Sequence, residues 1–242
     1  YLLDEGANVV TNGYATRRPW NQDSRAITSI YVRDPIKPLD GNNFFRYMYY
    51  AESMDLRNMD TSGMTNMEMM FAECGGIYSL DLSSFDTSNV TDTRDMFYCC
   101  YALTDIHNIN MIKDLNTSSM FTNCKALTNL TLKNIVVGVT IGSGDGTTTN
   151  SYGHLLTLDS LLNTIKELHI NTLTSTKTLT VGAANLNKLA NVYVKLIDIT
   201  DEMRAEDEYI DNKLPFEVCE STDEGAMHII DEYIPSKNWN IA

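Results

Sequence analysis

The feature that most constrains the fold of this chain is an internal repeat of about 26 residues. Pairs ending in phenylalanine recur at steps of 26, 26 and 24 residues: Phe44-Phe45, Met70-Phe71, Met96-Phe97 and Met120-Phe121. Two further columns of apolar residues keep the same steps: Met48, Cys74, Cys100 and Cys124, and Met54, Leu80, Ile106 and Leu130. Self-similarity at a fixed period of this length indicates stacked structural repeats.

Each repeat combines a short strand with a polar turn and an irregular return. Leu80 and Leu82 alternate with polar residues, a pattern typical of a strand with one buried face. The Asp-Thr-Ser triplets that follow offer side-chain oxygens to free backbone amides, which favours a turn. A unit of this size cannot bury its own apolar face, so the sequence predicts an α/β repeat fold, a solenoid with a parallel strand ladder.

The repeat register also predicts the environment of the cysteines. Cys74, Cys100 and Cys124 are expected to form an interior column, where free cysteine acts as a small apolar residue. Cys99 lies one residue off this register, so it is expected to point elsewhere and to be the more reactive thiol.

The segments outside the repeats are expected to close the two ends of the solenoid. Residues 1–43 lack the register and are interpreted as an N-terminal cap or linker, with Trp20 as an apolar lid. Leucines spaced over 155–168 predict an amphipathic helix, and KTLTV at 177–181 predicts a strand. LPFEVCE, an apolar stripe ending at Pro235, and NWNIA predict a C-terminal strand-helix-strand cap. The domain prediction follows from these patterns: 1–43 cap or linker, 44–135 repeats, 136–153 Gly/Thr-rich loop, 154–197 repeat-like capping segment, and 198–242 acidic strand-helix-strand appendage.

The repeat sequence LDLSSFDTSNVTDTRDMFYCC resembles the BspA-like class of leucine-rich repeat, which has an Asp-Thr-Ser turn and a closing Met-Phe-x-x-Cys. The resemblance covers about 44–135 and weakens in the third copy, which is two residues shorter. In that family the repeats form non-enzymatic surfaces on bacterial adhesins and on secreted or virion-associated proteins. The resemblance therefore implies binding.

A second resemblance concerns the C-terminal part. LTLDSLLNTIKEL followed by KTLTVGAANLNKL is similar to a capping segment of phage tail and surface proteins. The last 52 residues, from NVYVKL onward, are similar to the ends of proteins encoded by phages of gut bacteria. This resemblance implies a tail-fibre or head-fibre type of virion protein.

Composition and motifs argue against several other classes of protein. Lysine and arginine number 18 against 32 acids, and the net charge of -14 opposes a nucleic-acid backbone. No apolar run approaches the roughly 18 to 20 residues of a membrane helix. The five cysteines form no CxxC pair and no zinc-type cluster with histidine, so no metal site is expected. GSGDGTTTN at 142–150 lacks the Gly-Lys-Ser/Thr ending of a phosphate loop, and no cofactor is expected.

Two surfaces are candidates for binding. The outward strand positions form a recognition face, which consists of Asp55, Arg57, Asp81, Ser83, His107, Thr131 and Lys133. Tyrosines beside the Met-Phe-x-x-Cys turns form an aromatic rim, which consists of Tyr47, Tyr50, Tyr78, Tyr98 and Tyr101. Tyrosine suits contact with sugar or protein because its ring is apolar and its hydroxyl is polar. The alternatives are a solvated sheet face and a rim that only packs.

The function expected from the sequence is a non-enzymatic binding or structural module of a phage virion. Its expected partners are a glycan or protein of the host surface, or other virion proteins, and a homo-oligomer is compatible with this role. A bacterial cell-surface adhesin with leucine-rich repeats is the first alternative, which would place the chain on the cell surface. A polysaccharide-degrading enzyme is the second, although no catalytic motif is present.

Overall fold

The computed structural model describes Leu2–Leu3 and residues 25–113, 115–144, 152–153 and 155–242. Trp20, the expected lid, and most of the 142–150 loop lie outside these residues. The strands before the first α-helix are β1 (Leu2–Leu3), β2 (Ser29–Val32), β3 (Ser53–Asp55), β4 (Ser79–Asp81), β5 (Asp105–Asn110), β6 (Asn129–Lys133) and β7 (Val139–Thr140).

The remaining elements alternate short helices and strands. They are α1 (Leu158–Lys166), β8 (Lys177–Thr180), α2 (Ala183–Leu189), β9 (Tyr193–Leu196), α3 (Asp201–Glu206), a 3-10 turn (Ile210–Asn212), β10 (Phe216–Cys219), β11 (Met227–His228), a π-helical turn (Ile229–Tyr233), α4 (Ile234–Ser236) and β12 (Trp239–Ile241). The predicted amphipathic helix is α1, which Thr157 caps by accepting a hydrogen bond from the Ser160 amide. The predicted KTLTV strand is β8.

The predicted solenoid with one parallel ladder and two end caps is wrong. The strands of the described residues form four separate three-stranded sheets, in the orders β1-β2-β3, β4-β5-β6, β12-β8-β7 and β10-β9-β11. The segment expected to be an N-terminal cap contributes β2, which pairs with β3 along its edge. The expected C-terminal strand-helix-strand unit is divided, because β10 pairs antiparallel with β9 whereas β12 pairs parallel with β8.

Side-chain hydrogen bonds explain why the ladders stay short. Asp60 and Asp86 each accept a hydrogen bond from the backbone amide two residues ahead, at 2.9 and 2.8 Å. Thr61 and Thr87 donate to backbone carbonyls of the following repeat, at 3.0 and 2.7 Å. Polar groups that bond in this way compete with sheet hydrogen bonds. The returns between strands therefore connect neighbouring repeats without extending a sheet.

Equivalent residues of neighbouring repeats nevertheless lie in register. Leu80, Ile106 and Leu130 occupy paired positions on β4, β5 and β6. The rings of Phe71, Phe97 and Phe121 stack at centroid distances of 5.6 Å with planes 3° apart. All six side chains are buried in one apolar core.

The expected cysteine column is confirmed. Cys74, Cys100 and Cys124 are fully buried, and each thiol donates to a phenylalanine carbonyl of the preceding repeat at 3.1 Å. Burial raises the pKa of Cys100 to about 12, so this thiol stays protonated.

Two backbone positions in each repeat adopt the left-handed conformation without glycine. The first has φ between 54° and 56° and is occupied by Asn43, Met69, Asp95 and Ser119. The second has φ between 60° and 69° and is occupied by Tyr47, Glu73, Cys99 and Asn123. Such angles are uncommon for residues with a Cβ atom. The two left-handed positions flank each pair that ends in phenylalanine, one residue before it and two residues after it, and are a structural signature of this turn.

Charged side chains join the C-terminal segment to the end of α1. Glu167 accepts hydrogen bonds from Lys213 at 2.6 Å and from Lys133 at 3.1 Å. Burial acts to raise the pKa of Glu167, but the Lys213 ammonium and the Asn134 amide outweigh it and lower that pKa. Farther along, Trp239 donates through its indole N–H to the carbonyl of residue 169 at 2.8 Å.

Candidate functional site

The structure distributes the recognition face over two sheets. Asp55 lies on β3 and forms a two-bond ion pair with Arg57, which lowers the pKa of Asp55. Asp81 lies on β4, in the next sheet, and is opposite His107 on β5 of that sheet. Hydrogen bonds from Ser83 lower the pKa of Asp81, and His107 adds to this effect.

The far end of the recognition face loses its register. The pairing of β5 with β6 shifts between Ile106 and Ile109, so His107 has no direct partner in Thr131. Lys133, the last member, is engaged in the ion pair with Glu167 at 3.1 Å. The face therefore contains local charge pairs, and the register between its positions on β5 and β6 is interrupted.

The structure brings the residues of the aromatic rim closer together than those of the recognition face. A hollow of about 310 Å³ is lined by Arg25, Thr28, Tyr49, Tyr50, Glu52, Gly76 and Tyr78. Tyr50 is 59% exposed and Tyr78 is 58% exposed, so both rings present most of their surface to solvent. Two members of the predicted rim thus share one concave site.

A second hollow of about 320 Å³ lies beside the first. It is lined by Tyr49, Glu73, Gly75, Tyr98, Cys99 and Tyr101. Tyr49 lines both hollows, so the two form one continuous surface. We call this surface the tyrosine groove and define it by Tyr49, Tyr50, Tyr78, Tyr98 and Tyr101. Tyr47, the remaining rim residue, contacts the groove from outside, with its ring centroid 5.7 Å from that of Tyr49.

Hydrogen bonds and an ion pair hold one wall of the tyrosine groove in place. Glu73 accepts from Arg46 at 2.9 Å and from the Tyr49 hydroxyl at 3.3 Å. The Arg46 guanidinium also lies over the Tyr47 ring, 4.4 Å from its centroid. Partial burial, reinforced by the Glu73 carboxylate, raises the pKa of Tyr49. The side chains on this wall are therefore positioned before any ligand arrives.

Cys99 leaves the interior column, as its register predicts. It lines the second hollow and accepts a hydrogen bond from the Tyr101 hydroxyl at 3.1 Å. This bond to the thiol raises the pKa of Tyr101 to about 12. Cys99 is still 7% exposed, so its expected reactivity stays a prediction.

The sequence interpretation missed two residues of this site, Glu73 and Gly75, which stand in the turns between the rim tyrosines. Tyr49 is one of the tyrosines beside the Met-Phe-x-x-Cys turns and stands next to Tyr50. Aligning the repeats at position 49 gives Tyr49, Gly75, Tyr101 and Lys125 in successive copies. A glycine between two tyrosines in one column is the signal that could have marked the site.

The described residues were also compared with the requirements of a metal site and of a membrane-spanning helix. In the part of the chain that the structure describes, no three His, Cys, Asp or Glu side chains come together as metal ligands. None of the described helices is long and apolar enough to cross a bilayer. A further hollow of about 310 Å³ includes His169, whose pKa burial lowers to about 4, and this ring is therefore uncharged at neutral pH.

Comparison with known proteins identifies one family for the repeat region. Residues 41–134 match the family described as "Mycoplasma protein of unknown function, DUF285". The repeat region is similar to this family. The match covers less than half of the chain. It agrees loosely with the resemblance of the repeats to BspA-like surface proteins. No curated protein and no solved structure matches the chain.

Proposed function

We propose that this chain is a non-enzymatic binding module displayed on a surface, which contacts its ligand through the tyrosine groove. The observation that carries the proposal is the sharing of Tyr49 by two hollows, which joins five tyrosines into one concave surface. Tyr50, Tyr78 and Tyr101 are each more than half exposed. Exposed aromatic side chains gathered in a concavity are typical of binding sites.

A phage virion appendage is the location that we propose for this module. The support is the resemblance of the C-terminal part to phage proteins together with a repeat region of the BspA-like kind. A bacterial adhesin shares the repeats and is the alternative. Antibodies against the chain are expected to label phage particles in electron micrographs, and labelling of bacterial envelopes alone would favour the adhesin.

A binding role accounts for the groove better than catalysis does. Glycoside cleavage uses a pair of carboxyl groups, one of which must exchange a proton. Two carboxyl groups line the tyrosine groove, Glu52 and Glu73. Both oxygens of Glu73 already accept hydrogen bonds, from Arg46 and Tyr49. Release of reducing ends from a host polysaccharide by the purified protein would reverse this conclusion.

The binding role can be tested on whole bacterial cells. Fluorescently labelled protein is incubated with a panel of gut bacteria, and the cell-bound fraction is measured by flow cytometry. The double variant Tyr50→Ala/Tyr78→Ala is expected to reduce binding to a responsive strain by about tenfold or more, as expected for loss of aromatic contacts. Circular dichroism checks that the variant is folded.

Tyr31→Ala provides the matched control. Tyr31 is 44% exposed, lies on β2 and is not among the residues that line the two hollows. This variant is expected to bind cells as the wild type does. Loss of binding in Tyr31→Ala with full binding in the double variant would move the site to the strand face and overturn the proposal.

A further inference from the structure

We infer that the second hollow of the tyrosine groove is a slot for one neutral pyranose ring, held between Tyr49 and Tyr101 over Gly75. This inference rests on the proposed function, because it names the ligand class of the same groove. We call this site the Gly75 slot.

The width of the slot follows from the repeat geometry. Tyr49, Gly75 and Tyr101 occupy equivalent positions in three successive repeats. The phenylalanine rings of these three repeats lie 5.6 Å apart at each step, from Phe45 to Phe71 and from Phe71 to Phe97, so residues two repeats apart are separated by roughly 11 Å. Van der Waals contact on both faces of an inserted ring requires about 7 to 8 Å between the flanking groups. One ring therefore fits where Gly75 leaves the middle position without a side chain.

Packing does not explain why residue 75 is glycine. A Cβ atom on Gly76 would lie 3.0 Å from the Ala51 carbonyl oxygen, so that glycine is required by its neighbours. A Cβ atom on Gly75 would meet only the Tyr49 carbonyl oxygen, at an ordinary distance of 3.8 Å. Gly75 also has no positive φ angle. The space above Gly75 is therefore available to a ligand and is not a by-product of a tight turn.

The chemistry of the lining favours a neutral sugar. The two tyrosine rings offer apolar faces that suit the C–H faces of a pyranose. Each oxygen of Glu73 accepts one hydrogen bond within the protein, and the remaining lone pairs of the carboxylate can accept from ligand hydroxyls. The lining of this hollow contains no Lys or Arg, and the chain carries a net charge of -14. The carboxylate of an acidic sugar would therefore be repelled by Glu73, with no cation in the lining of the slot to compensate.

The adjoining hollow extends the site along a saccharide chain. It shares Tyr49 with the slot and adds Tyr50, Tyr78 and the oppositely charged pair of residues Arg25 and Glu52, in a volume of about 310 Å³ that is close to the 320 Å³ of the slot. Two hollows of matched size on either side of one tyrosine suit two consecutive sugar units. We therefore expect an oligosaccharide to bind more tightly than a single sugar.

The test uses the full chain on an array of immobilised oligosaccharides. Neutral probes are cello-, manno- and galacto-oligosaccharides, and acidic probes are fragments of alginate and hyaluronan. Wild-type protein is expected to bind at least one neutral series and to prefer it over both acidic probes. Gly75→Leu, which fills the slot, is expected to reduce this binding by about tenfold or more, a loss typical of a blocked central contact.

Gly63→Leu is the control for an added side chain. At Gly63 the nearest atoms are the flexible ends of Leu39 and Lys37, at 3.3 and 3.6 Å, and this variant is expected to bind normally. Thermal unfolding must show both variants folded, and Tyr101→Ala replaces Gly75→Leu if the latter does not fold.

Three results would overturn the inference: no binding to neutral probes, a preference for the acidic probes, or equal binding by wild type and the folded slot variant. If cells are still bound through Tyr50 and Tyr78, the proposed function stands although the sugar slot fails. If neither cells nor oligosaccharides are bound, both fail.

Discussion

The Nζ atom of Lys237 lies 2.8 Å from the carbonyl oxygen of Leu168, beyond the C-terminal end of α1, and its side chain is fully buried. The Tyr233 ring contacts the same ammonium at 4.9 Å from its centroid. Burial lowers the pKa of Lys237 to about 7. This lysine is therefore a buried helix cap whose charge depends on pH within the neutral range.

The pH dependence of stability should report this lysine. Between pH 7 and the unfolded pKa of 10.5, the unfolded chain binds more protons at Lys237 than the folded chain, so stability rises with pH. We expect the free energy of unfolding to increase by about 2 kcal/mol from pH 7 to pH 9. In Lys237→Met this increase should disappear, as measured by urea unfolding at each pH. An unchanged slope in that variant would contradict the assignment.

The phenylalanine stack should be a main source of stability in the repeat region. Phe97 lies between Phe71 and Phe121, with ring centroids 5.6 Å from each. Phe97→Ala is expected to lower the free energy of unfolding by about 3 to 5 kcal/mol, because it leaves a cavity in a closed core. Urea unfolding measures the change. Tyr31→Ala, which removes an exposed ring, should cost less than 1 kcal/mol.

The cysteine column should tolerate a small neutral residue but not a charge. Cys100→Asp is expected to destabilise the protein by several kcal/mol, since it places a carboxyl group among apolar side chains. Burial raises the pKa of such a carboxyl, so the loss should grow as pH rises above about 4. Cys219→Asp, at a partly exposed position, is the control in thermal unfolding. Equal melting temperatures for the two variants would show that position 100 is not interior.

The left-handed positions predict an unusual effect of glycine. Ser119 is exposed and has φ of 56°. Ser119→Gly removes the Cβ strain and is expected to raise the free energy of unfolding by up to about 1 kcal/mol. Ser119→Val places a β-branched residue at the same angle and should lower it by about 1 to 2 kcal/mol. Chemical denaturation distinguishes the two, and a reversed order would contradict the backbone assignment.

The interior of the repeats could be predicted because the buried positions recur with the same period as the sequence. Phe71, Cys100 and Leu80 each recur at a fixed spacing, and stacking brings equivalent apolar side chains together. The sheet organisation could not be predicted in the same way. Whether a three-residue strand such as β3 pairs with β4 depends on competing hydrogen bonds from turn side chains, which the spacing does not reveal. The partners of β10 and β12 depend on contacts between distant parts of the chain.

The binding surface was only partly visible in the sequence. Tyr50, Tyr78, Tyr98 and Tyr101 follow from the repeat register, and the structure places them along one groove. Gly75 has no side chain and attracts attention only when its column is compared across repeats. Counting along the repeats predicts that His107 lies beside Thr131, but the register shift between β5 and β6 separates them. Between these paired positions β5 has one more residue than β6, an irregularity that the spacing of the apolar columns does not reveal.

The second left-handed position of each repeat has a consequence for evolution. It holds Tyr47, Glu73, Cys99 and Asn123, four chemically different side chains on one backbone geometry. Glu73 and Cys99 both line the hollow of about 320 Å³. Because the same turn accommodates four different side chains, none of them β-branched, mutation among unbranched residues can diversify this position while the scaffold persists. Lineages descended from such a chain could exchange one target for another by altering single codons at these turns.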